Sequence, residues 1–243
     1  NVKFISDICK FIRKKRDPKG SLIRWIQISS VGVYGYSRYF SRSSSNAIVV
    51  DERSIINPTN AYEQSKVDGD TLLLNSHGQC VDLTLVRAGS VIDKTMRNSF
   101  VIHLIRAVRD RYFVYINDST YRFNWIALTD LTHVIEACIR DDKSSGKTYL
   151  VSEDVPQSRV IAIVMKFFER SGRPFVIPQI IIFPACFVIG FLLRRDFLYR
   201  RVQNMTISVR YDSSAAEKLI GRKLNGCLAA VQEILEANFA RNK

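Results

Sequence analysis

Glycine and histidine are scarce here, at 11 and 3 of 243 residues, and no Gly-x-x-Gly-x-x-Gly stretch occurs. His77, His103 and His133 stand far apart, which argues against a metal site. Cys9, Cys80, Cys138, Cys186 and Cys227 are odd in number and widely spaced, with no Cys-x-x-Cys and no neighbouring histidine. That pattern excludes a disulfide framework and reads as reduced core thiols in a cytosolic chain. No signal peptide is visible at Asn1. Acidic residues are also in deficit, 23 against 36 Lys and Arg, for a net charge of +13. A basic surface binds nucleic acid without specificity, yet no recognition motif accompanies it, so no specific nucleic-acid partner is expected.

What is present is enough for a folded core. With 47% hydrophobic residues in 243, the chain suits one or two domains. Its periodicity predicts helices over 2–14, 58–75, 97–109 and 129–140, and strands over 22–29 and 81–87, alternating in the manner of βαβ units. Val2, Ile5, Ile8 and Phe11 to Ile12 carry the pattern of the first helix, and Arg13 to Arg16 close it where cations suit the dipole. The strand around Ile23 to Ile28 reads as mostly buried. A Ser/Arg-rich stretch over 37–45 reads as a polar surface loop that could rim a site. Thr206 to Arg210 predicts a short strand, Asp212 to Gly221 a capped helix ending at glycine, and Leu228, Val231, Ile234 and Leu235 a last amphipathic helix.

The most informative feature is Tyr62 and Lys66, four residues apart in Pro58-Thr59-Asn60-Ala61-Tyr62-Glu63-Gln64-Ser65-Lys66. On a helix this spacing puts an ammonium beside a phenol. A phenol titrates near ~10 in water, and a neighbouring cation favours its charged form, which makes a tyrosine usable as a proton carrier at neutral pH. Tyr-x-x-x-Lys alone is common on solvated helices. Here it follows a strand that ends at Ser29-Ser30 and the turn Val31-Gly32-Val33-Tyr34-Gly35, and in open α/β sheets chemistry gathers beyond the carboxyl ends of strands.

These stretches resemble the extended short-chain dehydrogenase/reductases of the NAD-dependent epimerase/dehydratase family, which act on nucleotide sugars. Ser30, Tyr62 and Lys66 match the family's catalytic positions one by one. Leu85-Val86-Arg87-Ala88-Gly89 resembles its Arg-Pro-Gly strand end, with Ala88 for proline. Asn124 to Leu131 resembles its Val-His-Val-Asp-Asp-Leu helix start, with Ala127 and Thr129 replacing the His and the first Asp. Asp70 stands where the family usually has Glu, and Arg222 where it has tryptophan.

The resemblance implies an α/β fold: a partial, Rossmann-like, doubly wound parallel sheet lacking its first βα units, about a hundred residues, with a small C-terminal substrate-binding domain. Residues 1–150 would complete the NAD(P)-binding domain, and 151–243 would form mainly the substrate-binding part. It implies NAD or NADP as cofactor, held here by Tyr62, Lys66, Ala88, Gly89, Ser90 and Val91, and epimerisation or reduction at a sugar carbon, in cell-surface polysaccharide biosynthesis. Asn98, Arg122 and Arg201 are candidates for the nucleotide-diphosphate sugar; Arg194, Arg195 and Arg200 share the basic cluster with Arg201 and read equally as a solvated face. The family's dehydratases carry Asp-Glu directly after the hydroxyl, where Val31 and Gly32 stand here, so elimination of water is not expected. A homodimer is a further expectation. A different class of function stays open: without a glycine-rich turn the chain reads also as a cofactor-free remnant or a membrane-associated scaffold. Residues 175–193 carry no charge and would extend about 28 Å as a helix, interrupted by Pro178 and Pro184, so a cytoplasmic protein with peripheral membrane contact is compatible with the sequence.

Overall fold

The computed structural model describes residues 2–15, 21–35, 48–96, 100–117, 121–192 and 209–240, with side chains of 188–192 left aside. The stretch 37–45 and the residues Asn98, Arg194, Arg195, Arg200 and Arg201 lie outside the described residues. In chain order the elements are α1 (Val2–Lys15), β1 (Ile23–Ser30), β2 (Ile48–Val50), α2 (Ala61–Leu74), β3 (Val81–Ala88), β4 (Ser90–Ile92), α3 (Phe100–Arg109), β5 (Tyr115–Ile116), β6 (Arg122–Ala127) and α4 (Leu128–Arg140). They continue with β7 (Thr148–Val151), β8 (Glu153–Pro156), α5 (Gln157–Phe167), β9 (Val176–Ile177), α6 (Gln179–Leu192), β10 (Val209–Tyr211), α7 (Ser214–Ile220) and α8 (Cys227–Phe239).

Strand β3 organises the chain. Every residue of Val81–Ala88 except Asp82 is buried, as a central parallel strand covered on both faces requires. It pairs in parallel with β1 on one side and β7 on the other, giving the order β1-β3-β7. Arg24 and Asp82 lie opposite each other in this register and form an ion pair. Helices α1 and α2 cover one face through Ile5, Cys9, Ile12 and Leu73, which pack on Val81, Leu83 and Leu85. On the other, Val134 and Cys138 of α4 and Ala216 of α7 pack on Val86, Tyr149 and Val151.

A second sheet, β4-β6-β8, follows from the first because two strands cross into it. After β3 the chain passes through Gly89 into β4, and after β7 through Ser152 into β8. The crossing is tight: a Cβ on Gly89 would stand 2.8 Å from the Asn124 carbonyl oxygen and 2.9 Å from Ser152 Oγ. The Gly89 N–H donates to the Val151 carbonyl (2.9 Å), so first-sheet pairing extends one residue past β3. Phe123 and Trp125, two apart on β6 and so on one face, stack at 4.3 Å and meet Val160, Val231 and Ile234 of the helices behind.

Two expectations differ from the structure. Strand β1 is not mostly buried; Ile28 is 46% exposed, because β1 is the outer strand of its sheet among the described residues. Phe11 is exposed although it matched the apolar pattern of α1: at 100° per residue it lies far around the helix from the buried Ile5, Cys9 and Ile12. The capped helix expected over 212–221 is α7: Asp212 Oδ1 accepts from the Ser214 N–H and Gly221 ends the helix at φ 70°, while the Ser213 side chain accepts from the Ser152 N–H and donates to the Ser152 carbonyl. All five cysteines are free; Cys186 is partly exposed and the other four are buried. Burial pushes the Cys138 thiol up to about 11 and the Cys227 thiol higher still, leaving both unreactive.

Replacing Gly89 by alanine forces either the Asn124 backbone or Ser152 to move. The expected outcome is a loss of about 1–3 kcal/mol, the usual cost of overpacking. Urea denaturation checks it as a lower midpoint at unchanged slope.

Candidate active site

Ser30 ends β1 opposite Ala88, the last residue of β3, and Ala88 in turn lies opposite Val151. All three strand ends point the same way, so Ser30, Ala88, Gly89, Ser90 and Val91 gather at the carboxyl edge where such sheets hold ligands. Ser30 also starts a single 3₁₀ turn, Val31–Tyr34, and its Oγ accepts the Gly32 N–H at 3.1 Å. The turn closes at Gly35, which has φ 73° and lies against the Asn57 carbonyl; a Cβ there would stand 1.9 Å from that oxygen. The Asn57 N–H donates to the Val33 carbonyl (2.9 Å), which ties the Ser30 turn to the chain entering α2.

Helix α2 begins with a defined cap. Asn60 Oδ1 accepts the Glu63 N–H (3.0 Å), and Glu63 Oε2 accepts both the Thr59 N–H (2.7 Å) and the Thr59 hydroxyl (2.8 Å). This is the reciprocal logic of a capping box shifted by one residue. It fixes the first turn, which carries Tyr62. Tyr62 is 59% exposed and Lys66 is half-buried, with its Nζ 5.8 Å from the Tyr62 ring centroid. The expected juxtaposition of ammonium and phenol is thus present on α2, which packs against β1 and the Ser30 turn.

Beneath them lies a buried polar network. Arg87, opposite Ser29 in the sheet, donates from Nε to Asp70 Oδ2 (3.3 Å) and from its NH1 nitrogen to the Tyr34 hydroxyl (2.7 Å). The Ser29 hydroxyl donates to the same Asp70 oxygen at 2.9 Å. Arg87 and Asp70 are 4% and 3% exposed. Burial pushes the Asp70 carboxyl above its ordinary value, opposed by Arg87 and the Ser29 hydroxyl. Burial likewise raises the Tyr34 phenol, with Arg87 pulling against it. Asp70, one turn beyond Lys66, thus joins α2 to Ser29 just before Ser30 and, through Arg87, to Tyr34 beyond it. The signal available in the sequence was Arg87 itself, a charge inside the apolar run Leu83 to Ala88.

Arg122 lies elsewhere. It donates to the Asp154 carbonyl oxygen (2.8 Å) and lines a cavity of about 460 Å³ with Arg210, Lys223, Glu153, Asp154 and Glu217. Burial raises the Asp154 carboxyl, which accepts from Asn124 Nδ2 (2.8 Å) and pairs with Arg210.

Residues 1–152 match the NAD dependent epimerase/dehydratase family. The chain belongs to that family. No curated protein matches by sequence. Among solved structures the chain is similar to UDP-glucuronic acid 4-epimerase from Bacillus cereus in complex with NAD, at 15% identity and a TM-score of 0.65, covering 95% of this chain and 64% of that one. It is similar as well to a putative epimerase from Burkholderia cenocepacia J2315, at 13% identity and a TM-score of 0.64, covering 96% of this chain and 68% of that one. RMD from Pseudomonas aeruginosa complexed with NADPH gives 17% identity and a TM-score of 0.59, covering 90% of this chain and 67% of the other. These likenesses show the α/β, Rossmann-like fold, and the chain spans about two thirds of the length of each.

In this family member the Arg87–Asp70 pair makes a sharp prediction. Arg87→Met leaves a buried carboxyl without its cation and should cost about 3–5 kcal/mol. The double variant Arg87→Met/Asp70→Asn should lose less than the sum of the single losses. A double-mutant cycle of urea midpoints measures the difference.

Proposed function

We propose that the chain carries the catalytic residues of an NAD(P)-dependent enzyme that epimerises or reduces a sugar carbon of a nucleotide-diphosphate sugar. The observation that carries this reading is the joining of the Ser30 strand end to the Tyr62–Lys66 helix through the Asn57–Val33 hydrogen bond. Ser30 Oγ already accepts from Gly32, so its own proton is available to donate to a substrate oxygen. Tyr62, exposed and beside an ammonium, exchanges a proton with that hydroxyl; Lys66 holds positive charge on the phenol's flank and reaches toward the ribose. When bound, NAD(P) exchanges hydride with the sugar carbon.

The residues present suit the nicotinamide end of that cofactor. Ser30 lies opposite Ala88 at the strand end that leads into Gly89, Ser90 and Val91, and these residues with Tyr62 and Lys66 are assigned to hold it. Arg122, with Asn98 and Arg201, is assigned to the sugar diphosphate, and residues 151–243 mainly to substrate binding. The metabolic setting that fits is cell-surface polysaccharide biosynthesis in the cytoplasm. Elimination of water is disfavoured because Val31 and Gly32 transfer no protons, and a side chain at 32 would meet Ser30 Oγ at 3.2 Å and Glu63 Cγ at 3.3 Å. The alternative is a cofactor-free remnant or a membrane-associated, non-catalytic protein, and cofactor binding distinguishes it.

Two measurements separate the readings. Fluorescence titration of NADH into the 243-residue chain should show no saturable binding, whereas the chain joined behind βα units that carry such a turn should bind and convert nucleotide sugars without a 4-keto-6-deoxy product. Saturable micromolar binding by the chain alone would show that the turn is dispensable. In the competent form, Tyr62→Phe should lower the rate by roughly 10²–10⁴ with little change in stability. Lys66→Met should lower it as well. Unchanged turnover in Tyr62→Phe overturns the assignment.

A further inference from the structure

Far along the chain from the catalytic trio, one surface combines exposed apolar side chains with unpaired arginines. Strand β9 pairs with β5, and the Tyr115 N–H donates to the Phe175 carbonyl (2.8 Å), so the loops at Arg111–Tyr112 and Arg173–Phe175 run side by side. Asn117 Oδ1 accepts the Gln179 N–H (2.8 Å) and Asn117 Nδ2 donates to Gln179 Oε1 (2.9 Å), which docks the start of α6 on the same β5 segment. Between Gln179 and Phe187 no residue of α6 is buried. Ile180, Pro184 and Phe187, at i, i+4 and i+7, share an exposed face, with Ile181 beside it. Tyr112, Phe175 and Ile180 are each 81% exposed. Residues 175–193 carry no charge at all.

Arginines border this apolar surface. Arg111, Arg170 and Arg173 line one cleft of about 130 Å³ with Phe175. No ion pair holds any of the three among the described residues. The nearby acids are Asp110, already bound by Arg109 and kept below the ordinary carboxylate range by it with help from Arg170 and Arg106, and Glu169.

The geometry points to a peripheral docking surface for an anionic lipid bilayer. Tyr112, Phe175 and the Ile180–Phe187 face of α6 enter the headgroup region, and Arg111, Arg170 and Arg173 meet lipid phosphates. An amphipathic ring such as tyrosine settles at that depth, and arginine forks match phosphate oxygens. The helix lies on the membrane and does not cross it: among the described residues no helix is long and apolar enough to span, and the 14 residues of α6 reach about 21 Å against a hydrocarbon core near 30 Å. A second copy of the chain suits the surface less well. A two-fold contact would bring the same arginine rim against itself, in a chain of net charge +13.

Co-sedimentation of the 243-residue chain with vesicles tests this independently of catalysis. The chain should pellet with phosphatidylcholine vesicles containing phosphatidylglycerol, weakly with phosphatidylcholine alone, and should be released by high salt. Arg111→Gln/Arg170→Gln/Arg173→Gln should weaken binding on the order of a hundredfold, at about fivefold per arginine. Ile180→Asp/Phe187→Asp, both exposed, should abolish it with an unchanged urea midpoint. Binding that ignores lipid charge or survives both variants overturns the proposal, as does failure to bind. A lower midpoint in Ile180→Asp/Phe187→Asp would overturn it by showing that the chain itself covers this face. A lipid-free dimer that the same substitutions dissolve would overturn it in favour of self-association.

Discussion

The guanidinium of Arg87 is the contact on which the arrangement of the site depends. It is buried in the middle of a parallel sheet, and such a charge persists only when its donors and the opposing carboxylate are well placed. Asp70 supplies the carboxylate from α2 and Tyr34 a hydroxyl oxygen from beyond Ser30, while the Ser29 hydroxyl, just before Ser30, donates to the same carboxylate. One cation therefore fixes the spacing between the strand that ends at Ser30 and the helix that carries Tyr62 and Lys66. An apolar residue at 87 could fill the same volume, but it would not tell α2 where to stop sliding along β3. Asp70 retains one buried oxygen, Oδ1, with no partner. That uncompensated atom fits the burial that makes this carboxyl a weaker acid than usual, and indicates that placement rather than maximal stability decides this network.

A second constraint acts at the other end of β3. The two sheets share two through-going strands, and both cross where Gly89 and Ser152 meet Asn124. Ser152 is held there by the Ser213 hydroxyl, which accepts from its backbone N–H and donates to its carbonyl. The proposed ligand edge is thus bounded by a rigid turn at Ser30 and a rigid crossing at Gly89, each made possible by a glycine that tolerates close backbone contact. Loops positioned by such a scaffold can vary without moving the chemistry.

The parts of this design visible in the sequence are those governed by local rules. Helices α1, α2 and α4 and strands β1 and β3 begin and end within a few residues of their predicted limits, because periodicity, the Asn60 cap and the Ser29-Ser30 boundary are local signals. The i, i+4 placement of Tyr62 and Lys66 was legible for the same reason. The Arg87–Asp70–Tyr34 network was not, since it joins residues up to 53 positions apart, and only an isolated charge in an apolar run hinted at it. Nor were β4, β5, β8 and β9 legible: with two to four residues each they show no countable period, and partners across the fold define them. Burial was hardest to read. Ile28 and Phe11 look like core residues in sequence, yet burial depends on what stands opposite, and the outer edge of β1 has no partner strand among the described residues.

That outer edge explains an apparent contradiction in the chain's surface. Ile23 and Ile28 of β1 are exposed, although a parallel strand is ordinarily covered on both faces. Among the described residues the outer side of β1 carries no partner strand, and an unpaired parallel edge is a template for another strand. The α6 surface differs in kind: it is helical and bordered by arginines. Backbone hydrogen bonds with fixed register are what the β1 edge demands of a partner, whereas α6 demands only an apolar environment next to negative charge. Two apolar surfaces of one chain therefore call for different occupants, distinguished by whether backbone pairing or charge does the selecting.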